Sequence, residues 1–303
     1  MEYIGRFAPS PTGPLHMGSL VAAVASFLQA RSNNGQWLLR IEDLDPPREI
    51  AGASIDIMNT LEACGFEWDQ EVIFQSQRTV DYEQVLQQLK HARLSYPCAC
   101  SRSDISQAGQ YTPMGLRYPG TCRNGLPENK TARSIRIKTD SSGITFTDLI
   151  QGTIDQNLNR DVGDFVIKRA DGQIAYQLAV VVDDAMQKVT QVVRGCDLLD
   201  STSRQIYLQH LLGYTTPEYA HIPVLVNKFG DKLSKQNLAK PINKQHLPES
   251  LYQALSYLNQ NPPASLRKHK LNDIWDWAKM NWQLQMVVKQ TSIPETGNTD
   301  ANN

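Results

Sequence analysis

A turn rich in proline and glycine, "SPTGPLHMGSL" at residues 10–20, is the first segment of the chain that could do chemistry. Apolar residues follow it at helical spacing, so a helix is predicted to begin near His16. The free amide N–H groups and the positive dipole end of such a helix attract anions. The turn has neither the Gly-Lys-Ser end of a Walker loop nor the three spaced glycines of the dinucleotide fingerprint, which disfavours both of those phosphate sites. Alone, it predicts either an anion site or a plain structural turn.

A short basic segment in the last third of the chain, "KLSKQ" at residues 232–236, places Lys232 and Lys235 around a serine. Two ammonium groups at this spacing can neutralise charge that develops on phosphate oxygens. The same composition is common on protein surfaces, so a phosphate site and a solvated loop both fit this segment taken by itself.

Three of the five cysteines fall in one segment rich in glycine, proline and serine: Cys98, Cys100 and Cys122. The other two, Cys64 and Cys196, stand apart. An odd number of cysteines with this clustering favours a metal site over disulfides, although reduced cysteines without a metal also fit. A structural zinc site takes four ligands, and no histidine lies nearer to the three cysteines than His91.

Length and composition indicate a soluble protein with one main domain and insertions. The chain has 303 residues, of which 41% are hydrophobic and 20% charged. No run approaches the ~18–20 apolar residues of a membrane helix, and the first residues lack the pattern of a signal peptide, so we expect a cytoplasmic protein with no membrane partner.

Charge is distributed unevenly along the chain, although the net charge is only −1. Residues 41–83 hold eleven acidic and two basic residues, whereas residues 117–138 hold six basic and one acidic. Such runs are typical of solvated surfaces, and the basic one also fits a face that meets a polyanion such as nucleic acid.

Strand, helix, strand, helix is the predicted order of the first part of the chain. The two strands are "EYIGRFAP" and "QWLLRIEDLD". The first helix begins near His16, and the second covers residues 54–64 and ends at Gly65. This order predicts an α/β fold with a parallel sheet and crossover helices. A third helix is predicted over residues 80–94, followed by an insertion in which "ARSIRIKT" and "GITFTDLIQGTI" alternate like strands.

The second half is predicted to return to the sheet. "AYQLAVVVDDAM" is predicted as an apolar strand after a hairpin turn at residues 171–172, and "KVTQVVRG" as a further strand. A helix capped by Ser201 or Thr202 is predicted to close at Gly213. Two more helices are predicted at residues 248–258 and around 271–277, before a polar, disordered tail.

Two of these segments, read together, resemble the signature motifs of class I aminoacyl-tRNA synthetases: "HMGS" after the first strand and "KLSKQ" after the last. "RFAPSPTGPLHMGSL", "LLRIEDLDPPR", "AYQLAVVVDD" and "VTQVVRG" resemble stretches of bacterial glutamyl-tRNA synthetase, in the same order. The resemblance implies a Rossmann-type catalytic domain that joins glutamate to ATP, releases pyrophosphate and holds glutamyl-adenylate. Mg²⁺ would come with the ATP.

The resemblance also implies roles for individual residues. Arg6 and Arg194 would face the side-chain carboxylate of glutamate, and Glu42 would take its α-ammonium group. The glutamate site would be completed by Ser10, the backbone of Ala8 and the hydroxyl of Tyr176. The ATP site would comprise His16, Gly18, Ser19, Lys232 and Lys235, with His16 and Lys235 as the catalytic residues. In the predicted strand "AYQLAVVVDD", Val180 stands where the ordinary synthetase has an asparagine. This difference suggests weaker binding of glutamate.

Within this group, "IEDLDPPRE" and "RGCDLLDSTSRQIYLQHLLG" look most like the glutamyl-queuosine tRNA(Asp) synthetase family. The chain ends 67 residues after Gln236, so no anticodon-binding domain is expected. The resemblance implies activation of glutamate without tRNA, then transfer to the cyclopentenediol of queuosine at the wobble position of tRNA(Asp), by a monomer with no obligate protein partner. A truncated synthetase that charges a tRNA 3′ end, and a non-catalytic binder of glutamate, ATP or tRNA, are the alternatives.

The same family resemblance bears on the cysteine segment and on the domain plan. It places Tyr118 as the fourth ligand of a structural zinc ion beside the three cysteines. Arg136 and Lys138, on the adjoining basic strand, are the predicted contacts to the RNA backbone. The predicted division is a first catalytic half (1–96), the zinc-bearing insertion with acceptor-side strands (97–165), a second catalytic half (166–240), a helical C-terminal region (241–290) and a disordered tail (291–303).

Overall fold

Alternating strands and helices open the fold, as the apolar spacing predicts. The computed structural model describes residues 2–227, 229–232 and 240–295. The first elements are β1 (Ile4–Phe7), α1 (Met17–Ser32), β2 (Gln36–Ile41), α2 (Ala53–Ala63), β3 (Ile73–Phe74) and α3 (Thr79–His91).

Short strands dominate the segment that the sequence marks as an insertion. Its elements are β4 (Ser95–Cys98), α4 (Arg102–Ala108), β5 (Gln110–Thr112), β6 (Gly115–Arg117), β7 (Ser134–Ile137), β8 (Gly143–Asp148), β9 (Gly152–Asn157), α5 (Leu158–Asp161) and β10 (Val166–Lys168). The strands β10, β7 and β4 form an antiparallel sheet, and β5 and β6 form a hairpin.

Helices and parallel strands return in the second half. The elements are α6 (Tyr176–Met186), β11 (Gln191–Gly195), α7 (Leu199–Leu212), β12 (Glu218–Ile222), β13 (Val224–Val226), α8 (Leu247–Tyr257), α9 (Leu271–Asn281) and β14 (Ser292–Pro294). Helix α7 ends at Gly213, whose φ of 69° is the left-handed conformation that favours glycine.

Two sheets meet side by side and position the site: the first is parallel, and the second is parallel except for β9, which pairs antiparallel with β8. In one, β1 pairs with β2 and β2 with β3; in the other, β11 pairs with β12 and β12 with β8. The amide of Thr190, just before β11, donates to the carbonyl of Ile4 in β1 (2.9 Å). This bond joins the amino ends of the two strands, and their last residues, Phe7 and Gly195, line one cavity at the carboxyl ends, which is where open α/β sheets bind ligands. The predicted α/β fold with a parallel sheet is confirmed.

The predicted strand "AYQLAVVVDDAM" is wrong, because these residues form helix α6. The five residues from Leu178 to Val182 are all buried, so the segment has no polar face from which helical periodicity could be read. A short apolar run of this kind fits a buried strand and a buried helix equally well. Val180 belongs to the hydrophobic core of this half, beside helices α3 and α7.

Two predicted boundaries also differ from the structure. Helix α7 begins at Leu199 rather than at a cap formed by Ser201 or Thr202, because a short 3₁₀ turn leads directly into it. Disorder from residue 291 is wrong for Ser292–Pro294, which pair in parallel with β13. Residues 296–303 lie outside the described part of the chain.

Aromatic side chains attach the C-terminal helices to the first half of the sheet. Phe27 of α1 makes edge contacts with Trp37, Phe66 and Trp275, with ring centroids 5.0–5.3 Å apart. Such contacts add to the stabilisation that comes from burial alone.

Among the residues described, no helix combines the length and the apolar character needed to cross a bilayer.

Candidate active site

A cavity of about 600 Å³ opens at the carboxyl ends of β1 and β11 and at the start of α1. Its lining includes ten of the residues that the sequence assigns to the glutamate and ATP sites: Arg6, Ala8, Ser10, His16, Gly18, Ser19, Glu42, Tyr176, Arg194 and Lys232. Residues distant in sequence are thus brought together as expected. Lys235, the second predicted catalytic residue, lies outside the described residues.

Residues without a predicted role also line the cavity. Arg48 lies in the "LLRIEDLDPPR" motif and lines the cavity, and Val224 and Leu225 give it an apolar wall. Asp197 lines it as well, and its Oδ2 lies 2.5 Å from Nζ of Lys232. The lysine of the basic segment is therefore held by a carboxylate of the turn that follows β11.

Arg6 reaches the cavity from β1 and is held from behind by Asp184 of α6. Nε of Arg6 lies 3.2 Å from Oδ1 of Asp184, and Nη2 of Arg40 lies 2.8 Å from the same oxygen. Burial acts to raise the pKa of Asp184, but Arg6 and Arg40 outweigh it and lower that pKa. Asp184 therefore stays ionised between two buried guanidinium groups.

Glu42 follows β2 and is the carboxylate of the cavity wall that faces Arg6 and Arg40. Its Oε1 accepts from Nη2 of Arg40 at 3.4 Å. Burial raises the pKa of Glu42, while Arg40 and Arg6 act in the opposite direction. A bound cation would favour the ionised carboxylate further, so this position suits an ammonium group.

Arg194 at the end of β11 is buried, and its hydrogen-bond partners in the described part of the chain are neutral groups. Nε donates to Nε2 of His221 (3.0 Å), Nη2 to the hydroxyl of Thr202 (2.9 Å), and Nη1 lies 3.4 Å from the hydroxyl of Tyr176. Across the described ranges, no carboxylate forms an ion pair with this guanidinium, in contrast to Arg6. A buried cation without an anionic partner is costly, which makes Arg194 a strong anion-binding group.

His16 caps the helix that points into the cavity. Its Nδ1 accepts from the amide of Ser19 (3.3 Å), and its Nε2 lies 3.1 Å from the Ser19 hydroxyl. The carbonyl of Leu15 accepts from the amide of Ile242 (2.9 Å), so the chain beyond the basic segment returns to this helix start. The structure thus gives His16 a capping contact that the motif comparison did not predict.

The three clustered cysteines converge on one point. Sγ atoms of Cys98, Cys100 and Cys122 all lie within 4.8 Å of one another, and the Tyr118 hydroxyl lies 3.4 Å from Sγ of Cys98 and 3.6 Å from that of Cys100. This spacing fits thiolates around one tetrahedral metal ion with bonds of about 2.3 Å. Burial acts to raise the pKa of Cys98, but hydrogen bonds from Tyr118 and Arg136 lower it to about 7.

Arg136 does not present its side chain to solvent, so its predicted contact with the RNA backbone is wrong. Its guanidinium lies 3.8 Å from the centre of the Tyr118 ring, and Nε lies 3.3 Å from Sγ of Cys98. The reason is the pleat of β7, which turns Arg136 toward the cysteines. The backbone of Tyr118 packs directly against Gly163, because a Cβ at position 163 would stand 2.5 Å from the Tyr118 carbonyl oxygen.

Comparison with known proteins identifies the family. The model of the family "tRNA synthetases class I (E and Q), catalytic domain" matches residues 4–293. A glutamyl-Q tRNA(Asp) synthetase of Aromatoleum aromaticum is 52% identical over 295 residues, covering 97% of this chain and 93% of that protein. The chain belongs to the glutamyl-Q tRNA(Asp) synthetases. A second member, from Dechloromonas aromatica, is 51% identical and is covered over 97% of its length.

The fold of this glutamyl-Q tRNA(Asp) synthetase is similar to solved structures of glutamate-tRNA synthetases. A glutamate tRNA ligase of Elizabethkingia meningosepticum, crystallised with its amino acid, aligns with a TM-score of 0.79 at 25% identity, over 97% of this chain and 67% of that one. Glutamate-tRNA synthetase of Elizabethkingia anophelis gives a TM-score of 0.80.

Proposed function

We propose that this chain activates L-glutamate with ATP in the absence of tRNA and then transfers the glutamyl group to the cyclopentenediol of queuosine in tRNA(Asp). In the first step a carboxylate oxygen of glutamate attacks the α-phosphorus, the bond to the bridging oxygen breaks, and pyrophosphate leaves. In the second, a ring hydroxyl attacks the carbonyl of the adenylate, an ester forms, AMP leaves and the hydroxyl proton passes to solvent. Because ATP and tRNA are found there, the cytoplasm is the proposed location.

One observation carries the amino-acid assignment: the buried guanidinium of Arg194 lines the cavity without an anionic partner among the residues described. The side-chain carboxylate of glutamate supplies the missing charge, and Nη1 of the guanidinium can donate a charge-assisted hydrogen bond to it. Glutamine would bring only a neutral amide to the same place. The site therefore supports selection of glutamate.

The remaining groups of the cavity fit the other parts of glutamate. Glu42 offers a carboxylate to the α-ammonium, with the Tyr176 hydroxyl beside it. Arg6 adds positive charge near the side-chain carboxylate, although Asp184 already balances part of that charge. Ser10 and the backbone of Ala8 complete the proposed pocket, which thus offers two basic groups and one acid to a ligand with two carboxylates and one ammonium.

ATP is proposed to lie at the start of α1. The amide of Gly18 and the positive dipole end of the helix favour a phosphate beside Ser19, and His16 can donate to it from its ring. Lys232 and Lys235 are proposed to offset the charge that develops on pyrophosphate as it leaves. Mg²⁺ would arrive as part of the ATP substrate and balance phosphate charge.

Two assays test this function and separate it from its alternatives. Glutamate-dependent exchange between ATP and labelled pyrophosphate, without tRNA, is expected; no exchange at millimolar glutamate would contradict the activation step and favour a non-catalytic binder. For the acceptor, we expect glutamyl transfer to queuosine-containing tRNA(Asp) from which the 3′-terminal adenosine has been removed. Transfer that needs this adenosine and ignores queuosine would support a truncated synthetase that charges a tRNA 3′ end.

His16 gives a prediction in which folding and chemistry can be separated. His16→Ala should lower the rate of exchange about 100-fold, because a donor to the phosphate is lost. It should also destabilise the protein by about 1 kcal/mol, because the helix loses its cap. His16→Asn is the matched control, since asparagine caps helices well but has no imidazole. We expect it to restore the melting temperature and not the rate; full recovery of the rate would limit His16 to capping.

We propose that Cys98, Cys100, Cys122 and Tyr118 hold one structural zinc ion. The thiols and the phenol converge in a buried cluster, and the segment around them has few apolar residues of its own to fold on. The metal would supply rigidity and no step of the reaction.

Removal of one of these thiols is expected to lower the bound zinc and not the rate of catalysis. Cys98→Ala should lower the zinc content and the melting temperature while most of the exchange activity remains. Cys64→Ala, a buried cysteine outside the cluster, is the matched control and should keep its zinc. Metal analysis and calorimetry measure both effects. Loss of exchange in Cys98→Ala with zinc content unchanged would contradict a structural metal.

A further inference from the structure

His221 of β12 is a buried titratable group that neither the motifs nor the cavity lining includes. Its ring lies between two charged residues: Nδ1 is 2.6 Å from Oδ2 of Asp148, and Nε2 is 3.0 Å from Nε of Arg194. His221 and Asp148 are both completely shielded from solvent. A continuous chain of side chains thus runs from β8 through His221 to the guanidinium in the cavity.

The donors and acceptors of this chain fix the tautomer of the imidazole. The Nε–H group of arginine can only donate, so Nε2 of His221 must be without a proton to accept from it. The ring proton then lies on Nδ1 and is donated to the carboxylate of Asp148. Burial lowers the pKa of His221 while Asp148 acts to raise it; with Arg194 also lowering it, the pKa falls below its usual value, which favours the neutral ring over the doubly protonated one.

Asp148 is itself held rigidly by the backbone. Its Oδ1 accepts from the amides of His221 (3.1 Å), Ile150 (3.0 Å) and Gln151 (2.8 Å), so Oδ2 is left to face the ring. On the other side, the hydroxyl of Thr202 lies 3.2 Å from Nε2 and 2.9 Å from Nη2 of Arg194. Arg194 is therefore held through Nε and Nη2, and Nη1 is the end next to the Tyr176 hydroxyl, which lines the cavity.

We propose that His221 is a positioning residue for glutamate: with Asp148 fixing the proton on Nδ1, it holds Arg194 through Nε so that the guanidinium meets the substrate carboxylate. This inference rests on the proposed role of Arg194 in glutamate binding. It assigns His221 no contact with substrate and no proton transfer. In a catalytic triad, a buried carboxylate likewise selects one tautomer of the histidine. Here the histidine contacts an arginine, whereas in the triad it contacts the nucleophile.

Three variants test the proposal through the KM for glutamate in pyrophosphate exchange. Asp148→Asn can place its amide N–H against Nδ1, which forces the proton to Nε2 and sets donor against donor at Arg194. His221→Phe removes the acceptor. Both should raise the KM for glutamate about 10- to 100-fold, as expected for a lost hydrogen bond to a charged group, with the KM for ATP and kcat nearly unchanged. His221→Gln keeps an oxygen that can accept from Nε, and should stay within about threefold of the original KM.

Asp164→Asn is the matched control, because Asp164 is also buried and hydrogen-bonded, to Tyr96 and Thr139, but does not line the cavity. It should leave the KM for glutamate unchanged. Equal losses in His221→Gln and His221→Phe, or a rise in the KM for ATP as large as that for glutamate, would overturn the positioning role in favour of a merely structural one.

The tautomer is measured directly on the unaltered protein by ¹⁵N NMR of labelled histidine, so the proposal stays testable even where a variant fails to fold. We expect a protonated Nδ1 and an unprotonated Nε2 for His221; a proton on Nε2 would refute the proposal. Absence of exchange in the unaltered protein contradicts the proposed function, whereas normal exchange with an unchanged KM in Asp148→Asn and His221→Phe contradicts only the role of His221.

Discussion

Arg194→Ala is expected to raise the KM for glutamate by at least about 100-fold, because a buried charge-assisted pair is lost and the substrate carboxylate enters the cavity without its partner. The KM for ATP should change little, since the phosphates are proposed to lie at the start of α1. The preference for glutamate over glutamine should fall as well, because selection depends on the unpaired positive charge. Initial rates of pyrophosphate exchange, measured over a range of glutamate and glutamine concentrations, give all three quantities.

Two further substitutions define how Arg194 acts. Arg194→Lys keeps the charge but loses the planar fork and the contact through Nε to His221, so an intermediate KM is expected. Arg160→Ala is the control for loss of an arginine, since Arg160 is exposed and pairs with its neighbour Asp161. An unchanged KM for glutamate in Arg194→Ala would contradict the proposed pocket. So would an equal rise in the KM for ATP, because the substitution would then act on the whole cavity.

The outer frame of the molecule follows from local patterns in the sequence. The turn before α1 marks where that helix begins, helices α2, α3, α8 and α9 each carry one apolar face, and Gly213 closes α7 as predicted. A strand is the wrong prediction for α6, because the central residues of this helix are buried on every side and show no helical periodicity. The prediction that Arg136 contacts RNA rests on the basic character of its strand, and the partner that makes its burial favourable, Tyr118, lies outside that strand.

The residues of the candidate site also fall into two groups, those that the sequence reveals and those that only the structure reveals. Residues within matching motifs, such as Arg6 and Glu42, were found from the sequence because the motifs carry them. Asp148 and His221 lie outside the matching motifs, and Asp184 lies within one but has no predicted role, since each acts through a partner far away in the chain: Arg6 and Asp184 are separated by 178 positions. One signal was present, because a charged residue such as Arg40 in the middle of an apolar strand requires a buried counter-charge. The sequence shows that such a partner must exist and does not say where it lies.

Asp184→Ala is expected to be the most destabilising single substitution that we propose, lowering the free energy of unfolding by about 3–5 kcal/mol. The carboxylate is 6% exposed and lies between Arg6 and Arg40, so its removal leaves two buried guanidinium groups with less compensation. Asp184→Asn keeps hydrogen-bond acceptors and should cost less. Asp56→Ala is the matched control: its ion pair with Lys244 is 43% exposed on the carboxylate side, and its loss should cost at most about 1 kcal/mol. Urea denaturation at neutral pH compares the three variants.

The pH dependence of stability provides an independent check on the same network. Arg6 and Arg40 lower the pKa of Asp184 in the folded protein despite its burial, whereas an unfolded aspartate titrates near its ordinary value of 3.8. The stabilisation is therefore complete above that ordinary value and is lost as the pH falls through the lower pKa of the folded state. We expect the difference in unfolding midpoint between the unaltered protein and Asp184→Ala to shrink over this acidic range, while the difference for Asp56→Ala stays small throughout. A gap for Asp184→Ala that stays constant down to the lowest pH would mean that packing, and not the charge of Asp184, holds Arg6 in the cavity wall.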